Sequence, residues 1–253
     1  MNRRGVAMAV TSAAVALAAG CATPGGKIET RPGQHEQKFA AKVKAQVELN
    51  YLLYLPEDYG HSKKKWPLML FLHGAGERGD DVQVVAKHGP PKLVAAGQSL
   101  PFVIVSPQCP TWEWWPNGTQ IAALAELLDN IEANYRIDKD RVYVTGLSMG
   151  GFGTWKLATE FPDRFAAIAP VCGKGDPRKA KLIKDIPTWV FHGAKDPVVP
   201  CANSKDMVDA LKQCGSDVKF TIYPEAQHDS WTETYNNPAL YEWFLQHQRG
   251  EKK

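Results

Sequence analysis

The segment at residues 142–151 (VYVTGLSMGG) constrains the fold of this 253-residue chain more than any other feature. Its first half is β-branched and predicts a strand, and the residues after Ser148 are compatible with a helix. A strand that passes at once into a helix must turn sharply, which holds Ser148 in a strained conformation with its hydroxyl exposed. Gly146 and Gly150 leave room where strand and helix cross closely. The pattern predicts a reactive serine at a strand end; an ordinary turn with an inert serine is the alternative.

Strand and helix patterns alternate from residue 66 to the end of the chain. The apolar run at residues 67–72 is typical of a strand buried on both faces of a parallel sheet. Two alternating runs, residues 38–43 and 47–55, predict an antiparallel hairpin at the sheet edge. We therefore expect an α/β fold, a doubly wound and mostly parallel sheet with helices on both faces. The other predicted strands lie at residues 102–106, 141–145, 165–171, 188–191 and 219–223, and the predicted helices at residues 91–96, 121–135, 152–161, 179–184, 203–214 and 240–247.

The first 20 residues have the layout of an export signal. A short basic region at residues 2–4 precedes an apolar, Ala-rich stretch at residues 6–19, which is shorter than the roughly 20 apolar residues that span a bilayer. Residues 17–21 (LAAGC) resemble a bacterial lipobox, in which Cys21 is lipidated and becomes the new N-terminus. A plain secretory signal is the alternative. Ala22 stands where an aspartate would favour inner-membrane retention, which favours the outer membrane.

The composition suits one domain behind a linker. Residues 21–35 hold Thr, Pro, Gly and Gln and predict a flexible tether, and residues 36–250 form the predicted catalytic domain. The net charge of +3 is spread along the chain without a basic stripe, so we expect no nucleic-acid partner. The membrane is expected to be reached only through the N-terminal lipid. The protein is thus predicted to work in the periplasm or at the cell surface.

Four cysteines lie in the predicted domain. Cys201 and Cys214 fall near opposite ends of one predicted helix, roughly 20 Å apart and beyond disulfide reach. Cys109 and Cys172 follow different strands and come together only if their loops meet. We expect unpaired thiols, with oxidation in an exported protein as the open alternative. No zinc spacing is present, and no metal site is predicted.

A serine hydroxyl needs a base within hydrogen-bond reach and a third group that fixes the tautomer of the base. His228 follows the last predicted strand and is the predicted base among seven histidines. Asp196 follows the strand at residues 188–191 and is the predicted acid, with Asp176 as the alternative. The order Ser148, Asp196, His228 along the chain is the order found in hydrolases whose nucleophile lies at a sharp strand-to-helix turn.

The negative charge that develops on a carbonyl oxygen under attack needs fixed N–H donors. Met149 directly follows the serine at a helix N-terminus, so its backbone N–H is one predicted donor. The Gly-rich loop at residues 73–76 ends a neighbouring strand, and Ala75 is the other predicted donor, with Gly76 as the alternative. These two groups form the predicted oxyanion hole.

Six short motifs together resemble the α/β-hydrolase superfamily. The likeness runs from about residue 36 to 248, which is the whole predicted domain. Within the superfamily, the chain resembles bacterial serine esterases of the phospholipase/carboxylesterase group, also described as predicted peptidases. The motifs are residues 54–59 (YLPEDY), 73–79 (HGAGERG), 107–110 (PQCP), 146–151 (GLSMGG), 196–200 (DPVVP) and 228–231 (HDSW).

The resemblance implies an α/β-hydrolase fold and hydrolysis of carboxylic esters through an acyl-enzyme, with no metal or organic cofactor. It leaves the ester unnamed. A serine peptidase acting on short peptides is the alternative, although the chain has no room for the propeller domain of prolyl oligopeptidases. A surface-anchored binding module is a third class, but it predicts a damaged triad.

The connection after the strand at residues 165–171 is short, so we expect no large lid domain and an open site. Such a site admits small or polymer-linked esters, for example short-chain, aryl, feruloyl or acetyl esters. Trp114, Trp115 and Trp231 are predicted to line the substrate pocket; packing over loop edges is the alternative. Glu77 and Arg78 are expected to anchor the oxyanion loop.

Overall fold

The computed structural model describes residues 28–42, 46–61 and 63–250. The predicted signal peptide and Cys21 lie outside these ranges, so export and lipidation stay predictions. The described chain forms one sheet of eight strands and six α-helices. The strands are β1 (Gly33–Lys42), β2 (Gln46–Leu55), β3 (Trp66–Leu72), β4 (Val103–Pro107), β5 (Ile137–Leu147), β6 (Ala167–Val171), β7 (Thr188–Gly193) and β8 (Val218–Tyr223). The helices are α1 (Gly89–Ala95), α2 (Gly118–Asn134), α3 (Met149–Glu160), α4 (Ala202–Gln213), α5 (Trp231–Asn236) and α6 (Pro238–Leu245).

The sheet order is β1-β2-β4-β3-β5-β6-β7-β8. The hairpin β1–β2 forms one edge as predicted, and β2 pairs with β4 antiparallel. From β4 to β8, all neighbours run parallel. The carboxyl ends of these parallel strands therefore meet at one edge of the sheet, where we expected the functional residues.

The period-two geometry of β3 shows how the two core layers form. Leu68, Leu70 and Leu72 pack in a cluster with α2, α3 and α4 on one face. Met69 and Phe71 point the other way, into a cluster with α1, α5 and α6. Because β3 is buried on both faces, its sequence is a continuous apolar run rather than an alternating one. The predicted doubly wound arrangement is confirmed.

Three details differ from the sequence expectation. Strand β5 begins at Ile137, four residues before the expected start at residue 141, because Ile137 pairs with Trp66 although polar residues follow it. Residues 177–183 form a 3₁₀ helix instead of the expected α-helix at residues 179–184. Helix α5 was not expected.

The connection between β6 and β7, residues 172–187, contains that 3₁₀ helix and no inserted domain. The expectation of no large lid at this position is therefore confirmed. Among the described helices, none is both long and apolar enough to cross a bilayer.

Candidate active site

Ser148 lies between the end of β5 and the first residue of α3. Its backbone has φ 51° and ψ −116°, a conformation that L-residues rarely adopt. A Cβ atom on Gly150 would lie 1.9 Å from the Leu72 carbonyl oxygen, and one on Gly146 would lie 2.5 Å from the Gly150 carbonyl oxygen. Only glycine therefore fits at either position, and the predicted sharp turn is present.

His228 and Asp196 reach Ser148 from the ends of two other strands. The Ser148 hydroxyl lies 3.0 Å from His228 Nε2, and His228 Nδ1 lies 2.7 Å from Asp196 Oδ2. Since an ionised carboxylate only accepts, Nδ1 carries the proton and Nε2 is free to accept the proton of Ser148. The three residues chosen from the sequence are thus hydrogen-bonded in the order that nucleophilic attack requires.

The carboxylate of Asp196 is buried and fully engaged. Its Oδ1 accepts the N–H groups of Val198 and Val199 at 2.8 and 2.9 Å, and its Oδ2 also lies 3.2 Å from His192 Nε2. Burial opposes ionisation of Asp196, but the hydrogen bonds from His228 and from these two N–H groups outweigh it and hold its pKa below the usual value. Asp196 therefore stays ionised at neutral pH.

The alternative acid, Asp176, has a different role. Its side chain accepts the backbone N–H of Arg178 at the start of the 3₁₀ helix and forms a 2.8 Å ion pair with the Arg178 guanidinium. The carboxylate thus caps this helix, while Asp196 occupies the place next to His228.

The two predicted oxyanion donors both lie beside the turn. Met149 is the first residue of α3, where backbone N–H groups have no partner within the helix. Ala75 begins the 3₁₀ helix Ala75–Glu77 in the loop after β3. A Cβ on Gly74 would lie 2.7 Å from the Leu147 side chain, so this loop packs directly against the residue before Ser148.

His73, the first residue of the Gly-rich loop at residues 73–76, holds the oxyanion loop in place. Its Nδ1 donates to the Gly74 carbonyl oxygen at 2.6 Å, and its Nε2 accepts the Cys109 N–H at 2.9 Å. Burial lowers the pKa of His73 to about 4, so the ring is neutral and this pair of bonds fixes its tautomer. Arg78 Nε donates to the Ala75 carbonyl oxygen at 3.0 Å, as expected of an anchor.

The three tryptophans predicted to line the substrate pocket are placed differently. Trp114 is 45% exposed and stacks on the Arg78 guanidinium. The ring of Trp231 stands perpendicular to that of His228, with 5.2 Å between centroids. Trp115 is completely buried and donates to the His73 carbonyl oxygen at 3.1 Å. The assignment of Trp115 to the substrate pocket is wrong, because its buried side chain supports the loop at residues 73–76 through this hydrogen bond.

Cys172 is a site residue that the sequence analysis considered only for disulfides. It follows β6 with φ 40°, and its sulfur accepts the Ser148 N–H at 3.3 Å. Cys109, Cys172, Cys201 and Cys214 are all free thiols.

Atoms of Cys172, Asp196 and His228 that can bind metals lie within 4.8 Å of one another. Burial raises the pKa of the Cys172 thiol to about 12, so the thiolate that a metal needs is disfavoured. Both His228 nitrogens and the Asp196 carboxylate already serve the hydrogen-bonded triad. These residues therefore fit a hydrolytic triad better than a metal site.

A groove of about 1160 Å³ lies at the opposite edge of the sheet. It is lined by residues at the amino ends of β5 to β8, among them Asp140, Ile186 and Asp217. It includes none of the predicted site residues.

Comparison with known proteins identifies the family. The family model described as "Dienelactone hydrolase family" matches residues 113–242, just over half of the chain, including Ser148, Asp196 and His228. The chain belongs to the dienelactone hydrolase family. This membership agrees with the α/β-hydrolase fold, the turn at Ser148 and the order of the triad along the chain.

Among curated proteins, this dienelactone hydrolase family member is 33% identical over 120 residues to poly(3-hydroxyalkanoate) depolymerase C of Paucimonas lemoignei, covering 42% of this chain and 28% of that protein. It is 28% identical over 184 residues to the bifunctional acetylxylan esterase/xylanase XynS20E of Neocallimastix patriciarum, covering 70% and 26%. The chain thus spans less than a third of either relative. Among solved structures, a thermostable esterase is 37% identical with a TM-score of 0.73, covering 85% of this chain and 63% of that one.

Proposed function

We propose that this protein is a serine carboxylesterase. The observation that carries the proposal is a pair of consecutive hydrogen bonds. One joins Ser148 Oγ and His228 Nε2 at 3.0 Å, and the other joins His228 Nδ1 and Asp196 Oδ2 at 2.7 Å. A serine hydroxyl that is hydrogen-bonded to a base, which is itself oriented by an acid, becomes nucleophilic at neutral pH. The likeness to a solved esterase supports the same reaction class.

The first half of the reaction forms an acyl-enzyme. Ser148 Oγ attacks the ester carbonyl carbon while His228 Nε2 takes the hydroxyl proton. The carbonyl oxygen becomes an oxyanion, which the N–H groups of Met149 and Ala75 stabilise. When the bond between carbonyl carbon and alkoxy oxygen breaks, His228 gives its proton to the leaving alcohol.

The second half releases the acid. His228 takes a proton from water, whose oxygen attacks the acyl carbon, and the proton returns to Ser148 Oγ as the carboxylic acid leaves. Asp196 keeps its negative charge and stabilises the transient imidazolium of His228 through the 2.7 Å bond. No cofactor enters this scheme.

The surroundings of Ser148 favour esters that are attached to large alcohols or carry aryl groups. The short β6–β7 connection places no inserted domain over the site. Trp112 is 82% exposed, and Trp114 is 45% exposed although Arg78 stacks on its ring, so both side chains present aromatic surface to a sugar or an aryl ring. Acetyl or feruloyl esters of polysaccharide are therefore our proposed substrates, and the acetylxylan esterase activity in the name of one relative agrees with this choice.

The test is labelling with a fluorophosphonate, followed by peptide mapping and a panel of p-nitrophenyl esters beside proline anilides. We expect the label on Ser148 and turnover of the esters. Hydrolysis of the anilides with no ester turnover would favour the peptidase alternative. A label that maps to another residue would contradict the assignment of the nucleophile.

We also propose that the protein is exported and held by a lipid on Cys21. The support is the order of basic residues, apolar stretch and lipobox-like residues 17–21. Metabolic labelling with an alkyne fatty acid in a bacterial host tests this idea. The label should enter the wild-type protein and be lost in Cys21→Ala, and fatty acid retained by the variant would refute lipidation at this residue.

A further inference from the structure

A second pair of polar residues is connected to His228 through Trp231 and takes no part in the triad. It consists of Glu77, at the end of the oxyanion loop, and His88, just before α1. The ring of His88 contacts that of Trp231 edge to face at 5.5 Å, and Trp231 contacts the ring of His228 in the same way at 5.2 Å. Glu77 and His88 are thus joined to the catalytic base through one aromatic side chain.

Glu77 also adjoins the turn from its other side. A Cβ on Gly74 would lie 3.1 Å from Glu77 Oε2 and 2.7 Å from the Leu147 side chain. The carboxylate therefore lies next to the residue that precedes Ser148. The contacts thus run from Leu147 through Glu77, His88 and Trp231 to His228, and both ends of this series adjoin Ser148.

The carboxylate of Glu77 is nearly buried and faces the ring of His88. Its side chain is only 6% exposed, and no hydrogen-bond donor within the described ranges reaches it. The neighbouring Arg78 instead bonds the Ala75 carbonyl oxygen and stacks on Trp114. A nearly buried carboxylate without a protein donor is poorly stabilised, and because the Glu77 oxygens are not fully enclosed, a donor from a bound ligand can reach them.

The gap between Glu77 and His88 indicates which group fits. Glu77 Oε1 and His88 Nε2 are 3.8 Å apart, too far for a direct hydrogen bond. A hydroxyl group bridges such a gap, because it donates its proton to the carboxylate and accepts the imidazole N–H. Burial lowers the pKa of His88, so the ring is neutral at neutral pH and can present a single N–H.

We propose that Glu77 and His88 form a subsite that recognises a free hydroxyl on the ester substrate, with Trp231 as its aromatic wall. The inference rests on the proposed esterase function and narrows its substrates to hydroxylated esters. The hydroxyl comes either from the acyl part, as in a hydroxycinnamate, or from the alcohol part, as in a sugar. A methoxy group in its place cannot donate and leaves the carboxylate unpaired.

Two matched ester pairs test this subsite and distinguish the two sources. Methyl 4-hydroxycinnamate against methyl 4-methoxycinnamate probes the acyl part, and 2-hydroxyethyl acetate against 2-methoxyethyl acetate probes the alcohol part. The readout is the ratio of kcat/KM within each pair. We expect the wild-type protein to prefer the hydroxyl member of one pair by about tenfold or more, as for loss of a hydrogen bond to a charged group.

Two variants assign the preference to the subsite. Glu77→Leu removes the hydrogen-bond acceptor at similar side-chain volume, and His88→Phe keeps an aromatic ring beside Trp231 but removes the N–H. Each should bring the ratio close to one, whereas Glu242→Gln, an exposed change on α6, should leave the ratio as in wild type. Because the ratio is measured within one protein, a loss of folded material does not imitate the effect.

The outcomes separate this inference from the proposed function. Ester turnover with a ratio near one in both wild-type pairs, or with a ratio unchanged in both variants, overturns the subsite and leaves the esterase intact. Turnover of p-nitrophenyl esters without turnover of any of these four esters overturns the subsite alone. No turnover of either set overturns the proposed function and the subsite together.

Discussion

The sulfur atom of Cys172 lies 3.3 Å from the backbone nitrogen of Ser148 and accepts its N–H. The same N–H also points to the Val171 carbonyl oxygen at 2.9 Å. Cys172 and Ser148 both have positive φ and lie at the ends of neighbouring strands. The thiol is therefore part of the support that keeps the nucleophile in its strained position.

The position of Cys172 predicts a specific pattern of alkylation. Burial raises the pKa of its thiol to about 12, so neither access nor thiolate is available in the folded protein. Iodoacetamide followed by peptide mass spectrometry should modify the partly exposed Cys201 and Cys214 first. In denaturant the buried Cys109 and Cys172 should react as readily as these two. Rapid modification of Cys172 in the native protein would contradict the described packing.

Replacement of Ser148 separates activity from backbone strain. Ser148→Ala and Ser148→Gly should both reduce kcat by several orders of magnitude, since neither side chain can attack. Only glycine tolerates φ 51° and ψ −116° without strain, so Ser148→Gly should be more stable than Ser148→Ala by about 1 kcal/mol. Denaturant unfolding measures the difference. Equal stability of the two variants would show that the turn stores little strain.

Asp196→Asn should lower kcat by about 10⁴-fold, because an amide no longer holds the required tautomer of His228. Asp176→Asn is the matched control, since Asp176 pairs with Arg178 and caps a 3₁₀ helix. Its kcat should stay within about threefold of wild type. Steady-state rates with a p-nitrophenyl ester measure both effects. A larger loss of kcat in Asp176→Asn than in Asp196→Asn would assign Asp176 as the acid of the triad.

Because the ring of His73 is buried in its neutral form, we expect the protein to lose stability in acid. Burial is the largest cause that lowers its pKa from 6.5 to about 4, so the unfolded chain binds a proton more readily than the folded protein does. The contribution of neutral His73 is therefore complete above pH 6.5 and disappears as the pH falls to about 4. The full change is on the order of 3 kcal/mol.

Urea unfolding between pH 4 and 7 measures this loss for wild type and for His73→Gln, which should show a shallower dependence. The pKa values of His88 and His192 are also lowered by burial, so part of the slope should persist in the variant. His61→Gln, at an exposed position, is the control and should retain the wild-type slope. Identical slopes in all three proteins would refute the role of His73.

The crossing of β3 and α3 should not tolerate a methyl group. A Cβ on Gly150 would lie 1.9 Å from the Leu72 carbonyl oxygen, and backbone must move to avoid it. Gly150→Ala should cost about 3 kcal/mol or more, or prevent folding. Gly118→Ala is the control. Gly118 is the first residue of α2, a Cβ there would have no heavy atom within 4 Å, and the change should leave the stability nearly as in wild type. Thermal melting compares the two, and similar Tm values would contradict the predicted crossing.

The predictable parts of the structure are those that depend on local pattern. The hairpin, the buried strands and the turn at Ser148 each have a signature within ten residues, and the order of Asp196 and His228 follows from topology. Helix α5 has no such signature, because its six residues include two Thr and an Asn, which are weak helix formers. It forms where Asp229 accepts the Thr232 N–H and Tyr235 becomes buried in the core.

Side-chain neighbours across the fold could not be predicted from the chain alone. Trp115 looks like Trp114 in sequence, yet one is buried under the oxyanion loop and the other stacks on Arg78. The proximity of Glu77 to His88, and of Cys172 to Ser148, joins segments that have no common pattern. Their positions depend on the order and register of the strands in the sheet. A pattern within one segment does not determine which side chain of a distant segment it will contact.

The short β6–β7 connection affects what becomes of the acyl group. With no inserted domain over Ser148 from this connection, bulk water reaches the acyl-enzyme as easily as any second alcohol does. The protein should therefore partition acyl groups to water and transesterify poorly. Methanolysis and hydrolysis products measured together in dilute methanol report that partition, and a dominant methyl ester would show that the site selects its acceptor.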